Sequence, residues 1–294
     1  MSRQWRESLQ AYLLLLPIIG GLLVFAYYPP IRGLGQAFFD WNAATDEWSF
    51  VGLSNFTRMA HDEVLLNSIP NMLILLFGGL VIGVTVPLIV AELIYFVRDP
   101  KMKYFYRVVL LVPLVVPGVV GLLVWNFIYD PNIGLINSLL DYLGLESWKR
   151  GWLSDGGTVL FSMLFMGFPW AAGVGPLIYL SGLMNIPTEV LDSAKLDGAT
   201  SWKRVRYIDI PLVTGQIKFF IVTGMIGGLQ DFGRQLVLTD GGPGYSSMVP
   251  GYHMYKQAFT YNNFGYASAI GLMLFLFALL LTIVSMKYIQ SDRG

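Results

Sequence analysis

Three groups of residues place polar or aromatic chemistry inside otherwise apolar runs. Gln230, Asp231 and Arg234 lie together in one run, Trp125 and Asn126 close another, and Trp170 follows Phe168-Pro169 within a third. Ionisable groups in such runs are costly and usually face an interior or a water-filled cavity. Amide, carboxylate and guanidinium groups beside aromatic faces suit a solute rich in hydroxyl groups. Asp231 and Arg234 are three residues apart, so on a helix they share a face and can pair. Plainer roles fit the same residues: an ion pair that sets helix register, and an interfacial aromatic belt.

No catalytic or metal-binding set accompanies them. The sequence has no cysteine, and its two histidines, His61 and His253, are far apart without metal-ligand spacing. His61 beside Asp62 and Glu63 reads as a solvated polar patch. No Gly-x-x-x-x-Gly-Lys-Ser/Thr run occurs, so the chain has no phosphate-cradling loop of that type.

The elements that must hold these residues follow from composition. The 294 residues are 55% hydrophobic and 13% charged, with a mean hydropathy of +0.58, whereas a soluble domain carries roughly 25% charged residues. A soluble domain of this size must cover itself with polar groups, a demand that a bilayer lifts. With 19 basic and 19 acidic residues the net charge is zero, and no basic surface suggests nucleic acid.

A spanning helix needs about 20 mostly apolar residues. The expected spans are 11–29, 67–97, 107–129, 158–184, 214–238 and 266–287, giving an all-α membrane protein of about six transmembrane helices in a single domain, 1–294. Pro113, Pro117 and Pro169 are expected to kink the third and fourth spans. Glu92, the one charge of the second, is expected to face headgroup water at its inner end. The first stretch is long for a signal peptide, and Tyr27-Tyr28-Pro29-Pro30 is not a small-residue cleavage site. Lysines and arginines concentrate at 3–6, 98–107, 195–206 and 287–293 and are sparse in the segments between. The positive-inside rule then places both termini in the cytoplasm.

The cytoplasmic segment 185–213 carries local signals for two short helices. Pro187 suits a first helical position, and Glu189 complements the positive helix end. Gly198 is placed to stop the helix at a left-handed cap. Thr200 or Ser201 can cap the next helix, and Pro211 follows its end. Val190, Leu191 and Ala194 fall on one side, with Glu189, Asp192 and Lys195 on another. The product is an amphipathic helix shaped for another protein's groove.

These residues resemble a known family. Asp192-Ser193-Ala194, then Gly198, then Ile208-Asp209-Ile210-Pro211 resemble the cytoplasmic loop of ABC importer permeases, which reads Glu-Ala-Ala, three residues, Gly, and later Ile-x-Leu-Pro. Asp197-Gly198-Ala199, Trp202 and Leu238-Thr239-Asp240-Gly241-Gly242-Pro243 look like the carbohydrate-uptake branch, similar to the maltose and glycerol-phosphate permeases. Two departures stand out: Asp-Ser-Ala replaces Glu-Ala-Ala, one methylene shorter, and Asp240 stands where that branch has glycine.

The resemblance implies a type I importer permease. Its coupling helix would meet an ATPase through Glu189, Asp192, Ser193, Ala194, Asp197, Gly198 and Ala199. The implied partners are a second, different but related permease, two copies of an ABC ATPase that bind ATP and Mg, and an extracytoplasmic solute-binding protein. No cofactor belongs to this chain itself, the solute is a sugar or sugar derivative, and the site of action is the cell inner membrane. The alternative is a secondary transporter driven by an ion gradient, for which Glu92 and Asp231 are the acidic groups within the spans. A membrane enzyme would need a catalytic cluster at one depth, and the sequence offers none.

Overall fold

The computed structural model describes residues 3–45 and 47–288. Arg293, part of the basic carboxy-terminal flank, lies outside them. The described residues pack as two compact units, one drawn from Met1–Glu63 and His253–Leu276, the other from Val64–Tyr252 and Phe277–Gly294.

The larger unit holds most of the apolar runs. Its longest element is the helix Glu63–Phe96, in which Ala91 and Ile94 are buried. Asp99 opens the next helix, Pro100–Leu111, by accepting the Lys101 N–H at 2.9 Å. That helix therefore starts before the expected 107. The chain then bends by 89° between Pro100–Val115 and Gly118–Ile128. Pro113 and Pro117 stand at the bend, where each withholds an N–H from the helical ladder.

The expected stretch 158–184 is not one helix. It forms Val159–Phe165 and Gly175–Met184, with residues 166–174 irregular between them. The break contains Gly167, Trp170 and Gly173, all with positive φ (86°, 54° and 117°), together with Pro169. A right-handed helix cannot pass through left-handed backbone. Among the described residues, three helices are long and apolar enough to cross a membrane, and two bent pairs each add one if taken as a single span. The fourth stretch meets its expected span only as two short pieces.

Among the described residues, two apolar clusters lie in this unit. In one, Ala91, Ile94, Tyr179, Leu180, Leu183, Ile186 and Val213 are buried, and Leu191 packs against them. In the other, Tyr129, Val159, Met163 and Met166 are buried against Trp125 and Trp152.

The smaller unit begins with a helical run from Arg3 to Gln36. None of the apolar window of Tyr12–Gln36 is buried by the rest of the chain, as suits a face covered by lipid. An antiparallel hairpin follows, Phe39–Asn42 with Glu47–Phe50, pairing Trp41 with Trp48. The hairpin lies in 30–66, the connection that the expected spans 11–29 and 67–97 leave between them. Aromatic residues directly opposite across a strand pair stabilise such a ribbon, and the Trp41 and Trp48 rings stack at 4.4 Å. A Cβ on Gly265 would overlap the Phe39 carbonyl, so only glycine admits the hairpin at that distance.

Asp62 is not solvated as expected. Its Oδ2 accepts from the Tyr266 hydroxyl at 2.6 Å and lies 2.8 Å from His253 Nε2, with His253 5% exposed. His61, by contrast, stays exposed.

Candidate functional site

The loop 185–213 is rooted in the first apolar cluster. After the buried Leu183 and Ile186 the chain turns at Pro187, whose carbonyl accepts the Val190 N–H at 3.2 Å and opens the helix Thr188–Leu196. Pro187 thus stands one residue ahead of the first helical position. Glu189 occupies the first turn, where a carboxylate meets the positive end of the helix. Gly198 has φ of 72°. The Gly198 N–H donates to the Lys195 carbonyl at 3.1 Å and the Ala199 N–H to the Ala194 carbonyl at 2.9 Å, which satisfies the last carbonyls. Nothing lies within 4 Å of where a Gly198 Cβ would point. Glycine is required there by the backbone angle and not by lack of space.

The second helix opens on Thr200, whose Oγ1 accepts the Lys203 N–H at 3.4 Å. It does not end before Pro211, as expected, but runs on to Leu212. The ladder widens over Val205–Asp209, where the Ile210 N–H reaches back to the Val205 carbonyl. A residue without an N–H is accommodated just beyond that shift.

The faces of the first helix are clear. Ala194 is buried and Leu191 packs on the cluster, while Val190, expected beside them, is 39% exposed. Glu189, Asp192, Ser193, Asp197 and Gly198 are exposed. Asp192 pairs with Lys195 at 2.8 Å with both side chains largely in solvent, and Ser193 Oγ donates to the Glu189 carbonyl at 2.8 Å. Leu196 is 89% exposed and Trp202 is 71% exposed. The expected docking residues did not include Leu196. Its signal was its phase, because five residues on from Leu191 it falls about 140° round the helix, away from the buried side.

A charged clamp joins the loop to the second span. Asp209 is wholly buried, and Arg204 Nε lies 3.1 and 3.3 Å from its two carboxylate oxygens. Burial pushes the Asp209 carboxyl above its usual range, and Arg204 partly offsets this. The guanidinium carbon of Arg204 stands 4.8 Å from the Tyr95 ring centre and 5.1 Å from that of Phe96. Lys103 Nζ donates to the Tyr95 carbonyl at 3.2 Å. Glu92, expected in headgroup water, is 7% exposed. No single-residue signal in the sequence distinguished this clamp from ordinary flanking charge.

The polar residues of the apolar runs divide among separate surroundings. The helix Thr214–Gln230 stops at Asp231, whose backbone is extended and whose Oδ1 accepts the Gly233 N–H at 3.1 Å. Asp231 and Arg234 stand 4.0 Å apart across this break. Arg234 also donates to the Met163 carbonyl at 3.0 Å, which is open because its helix ends two residues on, at Phe165. Asp231, Arg234 and the buried Gln235 line a cavity of about 340 Å³ with Gly79, Thr223 and Gly228. Gln230 is exposed and is not among the lining residues.

Asn126 instead lines a cavity of about 380 Å³ with Asp130, Leu238 and Thr239. Trp170 lines an almost wholly apolar cavity of about 470 Å³ with Trp152 and Phe161. Its indole N–H donates to the carbonyls of Leu164 and Met166 at 3.2 and 3.1 Å, groups that the break in the fourth stretch leaves without helical partners. Trp125 packs into the second apolar cluster, with ring centres 5.4 Å from Tyr129 and 6.1 Å from Phe165. The expected path residues therefore do not converge. Asp231 and Arg234 share a cavity, whereas Trp125, Asn126 and Trp170 serve other places.

Irregular backbone within apolar stretches is tolerated only where it is buried in protein or lines a cavity, and here it does both. Such a construction suits a chain whose apolar elements enclose cavities within a membrane. The match over residues 83–291 is to the binding-protein-dependent transport system inner membrane component. The chain belongs to that family and is the permease of an ABC importer, a transport subunit and not an enzyme.

It is 32% identical over 282 residues to the probable ABC transporter permease protein YurN of Bacillus subtilis, with 96% of each chain covered. It is 29% identical over 253 residues to the diacetylchitobiose uptake system permease protein NgcF of Streptomyces coelicolor, covering 82% of this chain and 72% of that one. Among solved structures, a chain of a bacterial ABC transporter involved in import of the acidic polysaccharide alginate superposes with a TM-score of 0.85 over 100% of both chains, at 22% identity. The fold is thus that of an ABC importer permease.

Proposed function

We propose that this chain forms half of the translocation path for a sugar or sugar-derived solute and is driven through residues 185–213 by a separate ATPase. The observation that carries the coupling role is the helix Thr188–Leu196. It is stopped by the left-handed Gly198, rooted by Leu191 and Ala194, and otherwise offers an exposed face. In this reading Glu189, Asp192, Ser193, Asp197, Gly198 and Ala199 meet the ATPase or shape the surface that does. Ala194, being buried, acts by holding the helix to the span cluster. The exposed Leu196 and Trp202 supply apolar anchors of the kind that centre an interface.

A second, different but related permease supplies the other half of the path. Two copies of an ABC ATPase bind ATP and Mg, this chain holding no cofactor of its own, and an extracytoplasmic binding protein delivers solute. Both termini lie in the cytoplasm, as the basic flanks indicate. A sugar-type solute is supported by the name of the diacetylchitobiose relative and by a cavity that pairs a carboxylate with a guanidinium. The mechanism is a two-state equilibrium of the spans biased at a distant site by the ATPase, and a rigid, capped helix transmits that bias better than a flexible linker.

Reconstitution tests the proposal. Vesicles holding this permease with its partner permease and ATPase should take up solute only with ATP inside and binding protein outside. Uptake by this chain alone, collapsing with an ionophore and indifferent to ATP, would establish a carrier driven by an ion gradient instead.

A further inference from the structure

The clamp at the root of the loop holds one cation for two buried carboxylates. Arg204 engages Asp209 through Nε. Arg204 Nη2 is buried and has no hydrogen-bond partner among the described residues, and neither have the two carboxylate oxygens of Glu92. Glu92 lies one helical turn before Phe96, and the Arg204 guanidinium rests on the rings of Tyr95 and Phe96. Asp209 Oδ2 is likewise buried without a hydrogen-bond partner, and Glu92 lies within electrostatic reach of both Arg204 and Asp209. Burying polar groups without partners is unfavourable, so each of these atoms calls for an explanation.

We infer that Arg204 is a positioning residue that exchanges partners, holding Asp209 in the conformation seen here and Glu92 in the opposite transport state. The inference deepens the coupling reading proposed above and rests on it. The exchange needs only a swing of the guanidinium across the aromatic faces of Tyr95 and Phe96. Lys103 Nζ donates to the Tyr95 carbonyl in this conformation. Each state has one carboxylate paired and one not, so neither is locked. A modest push at the Thr188–Leu196 helix then decides between them, and the balance passes directly to the Glu63–Phe96 helix, whose other side lines the cavity through Leu76, Gly79 and Gly83.

The chain has no cysteine, so a single reporter can be placed in it. Thr223→Cys in the cavity, within the assembled transporter in inside-out vesicles, is labelled by a membrane-impermeant thiol reagent, and labelling of this chain is followed with time. Asp209→Asn weakens the present state and Glu92→Gln weakens the other. Partner exchange requires the two substitutions to move the labelling rate in opposite directions, each by about fivefold or more. Shifts in the same direction, or no shift with Glu92→Gln, would show a static brace and overturn the inference.

Should Glu92→Gln fail to assemble, Glu92→Asp sets the charge back by one methylene, and its shift should have the same sign and be smaller. Gly198→Val run in parallel separates the two claims. Opposite labelling shifts alongside a fully coupled Gly198→Val transporter would refute the docking role and keep the exchange. Uncoupling by Gly198→Val without opposite shifts would refute the exchange alone.

Discussion

The loop helix and the broken fifth span each carry an acid and a base three residues apart, and they hold them differently. Asp192 and Lys195 meet at 2.8 Å on an unbroken helix, with 67% and 73% of their side chains exposed. Such a pair contributes a few tenths of a kcal/mol and is readily given up to a partner. Asp231 and Arg234 have the same spacing but stand 4.0 Å apart, because Asp231 has left the helix to accept from Gly233 and Arg234 reaches the Met163 carbonyl. Their pairing is looser, and both groups line a cavity. The spacing is common to both; the break in the backbone is what makes a site of one of them.

The largest effect should come from the stop of the loop helix. Gly198→Val forces a β-branched residue into left-handed backbone at a cost of about 1–2 kcal/mol. It should lower ATP-driven uptake by about tenfold or more while the permease still inserts and assembles. Gly198→Asn should keep most of the uptake, since asparagine tolerates that conformation. Equal uptake in the two variants would remove the mechanical distinction between loop and cavity.

At the cavity, Arg234→Gln should raise the solute KM by about tenfold with hydrolysis still coupled, as expected for loss of one or two charge-assisted hydrogen bonds. Asp231→Asn should act in the same direction and by less. Uptake kinetics in reconstituted vesicles decide this, and an unchanged KM in both variants would move the solute path elsewhere.

The exposed pair sharpens the contrast from the other side. Asp192→Asn and Lys195→Gln should each change thermal stability by about 0.5 kcal/mol or less, with a double-mutant coupling of the same small order and no change in solute KM.

The smallest effect concerns an acid at an exposed turn. The N–H groups of Ile133 and Asn132 hold the Asp130 carboxyl below its ordinary range. A lowered carboxyl stabilises the fold above its unfolded value, near 3.9, and that contribution is lost as pH falls through the folded value. The protection factor of the Ile133 amide, corrected for the intrinsic exchange rate, should therefore fall in acid, and Asp130→Asn should flatten its pH dependence.

Much of the loop was readable from sequence because its structure is local. Pro187, Glu189, Gly198 and Thr200 act on backbone within four residues of themselves, and the structure places each near its expected role. Pro211 misled, since a widened ladder upstream took up its missing N–H. Trp125 and Trp170 were natural candidates to meet a solute, yet the structure occupies them with a core and with orphaned carbonyls. Aromatic type alone does not say which cavity or cluster a ring enters. Asp62 likewise took its partners, His253 and Tyr266, from about two hundred residues away.

By itself the sequence determined that the chain lives in a membrane, where its apolar runs lie, and that a capped helix stands between the fourth and fifth of them. Those properties are sums over neighbouring residues: apolar transfer, helix capping and backbone angle. Only the tertiary structure decided where the fourth and fifth runs break, which of the polar residues share a cavity, and that Arg204 stands between Asp209 and the rings of Tyr95 and Phe96. Each of these depends on groups far apart in the chain meeting in a low-dielectric interior, where an unpaired polar atom is costly enough to choose among conformations that look alike residue by residue.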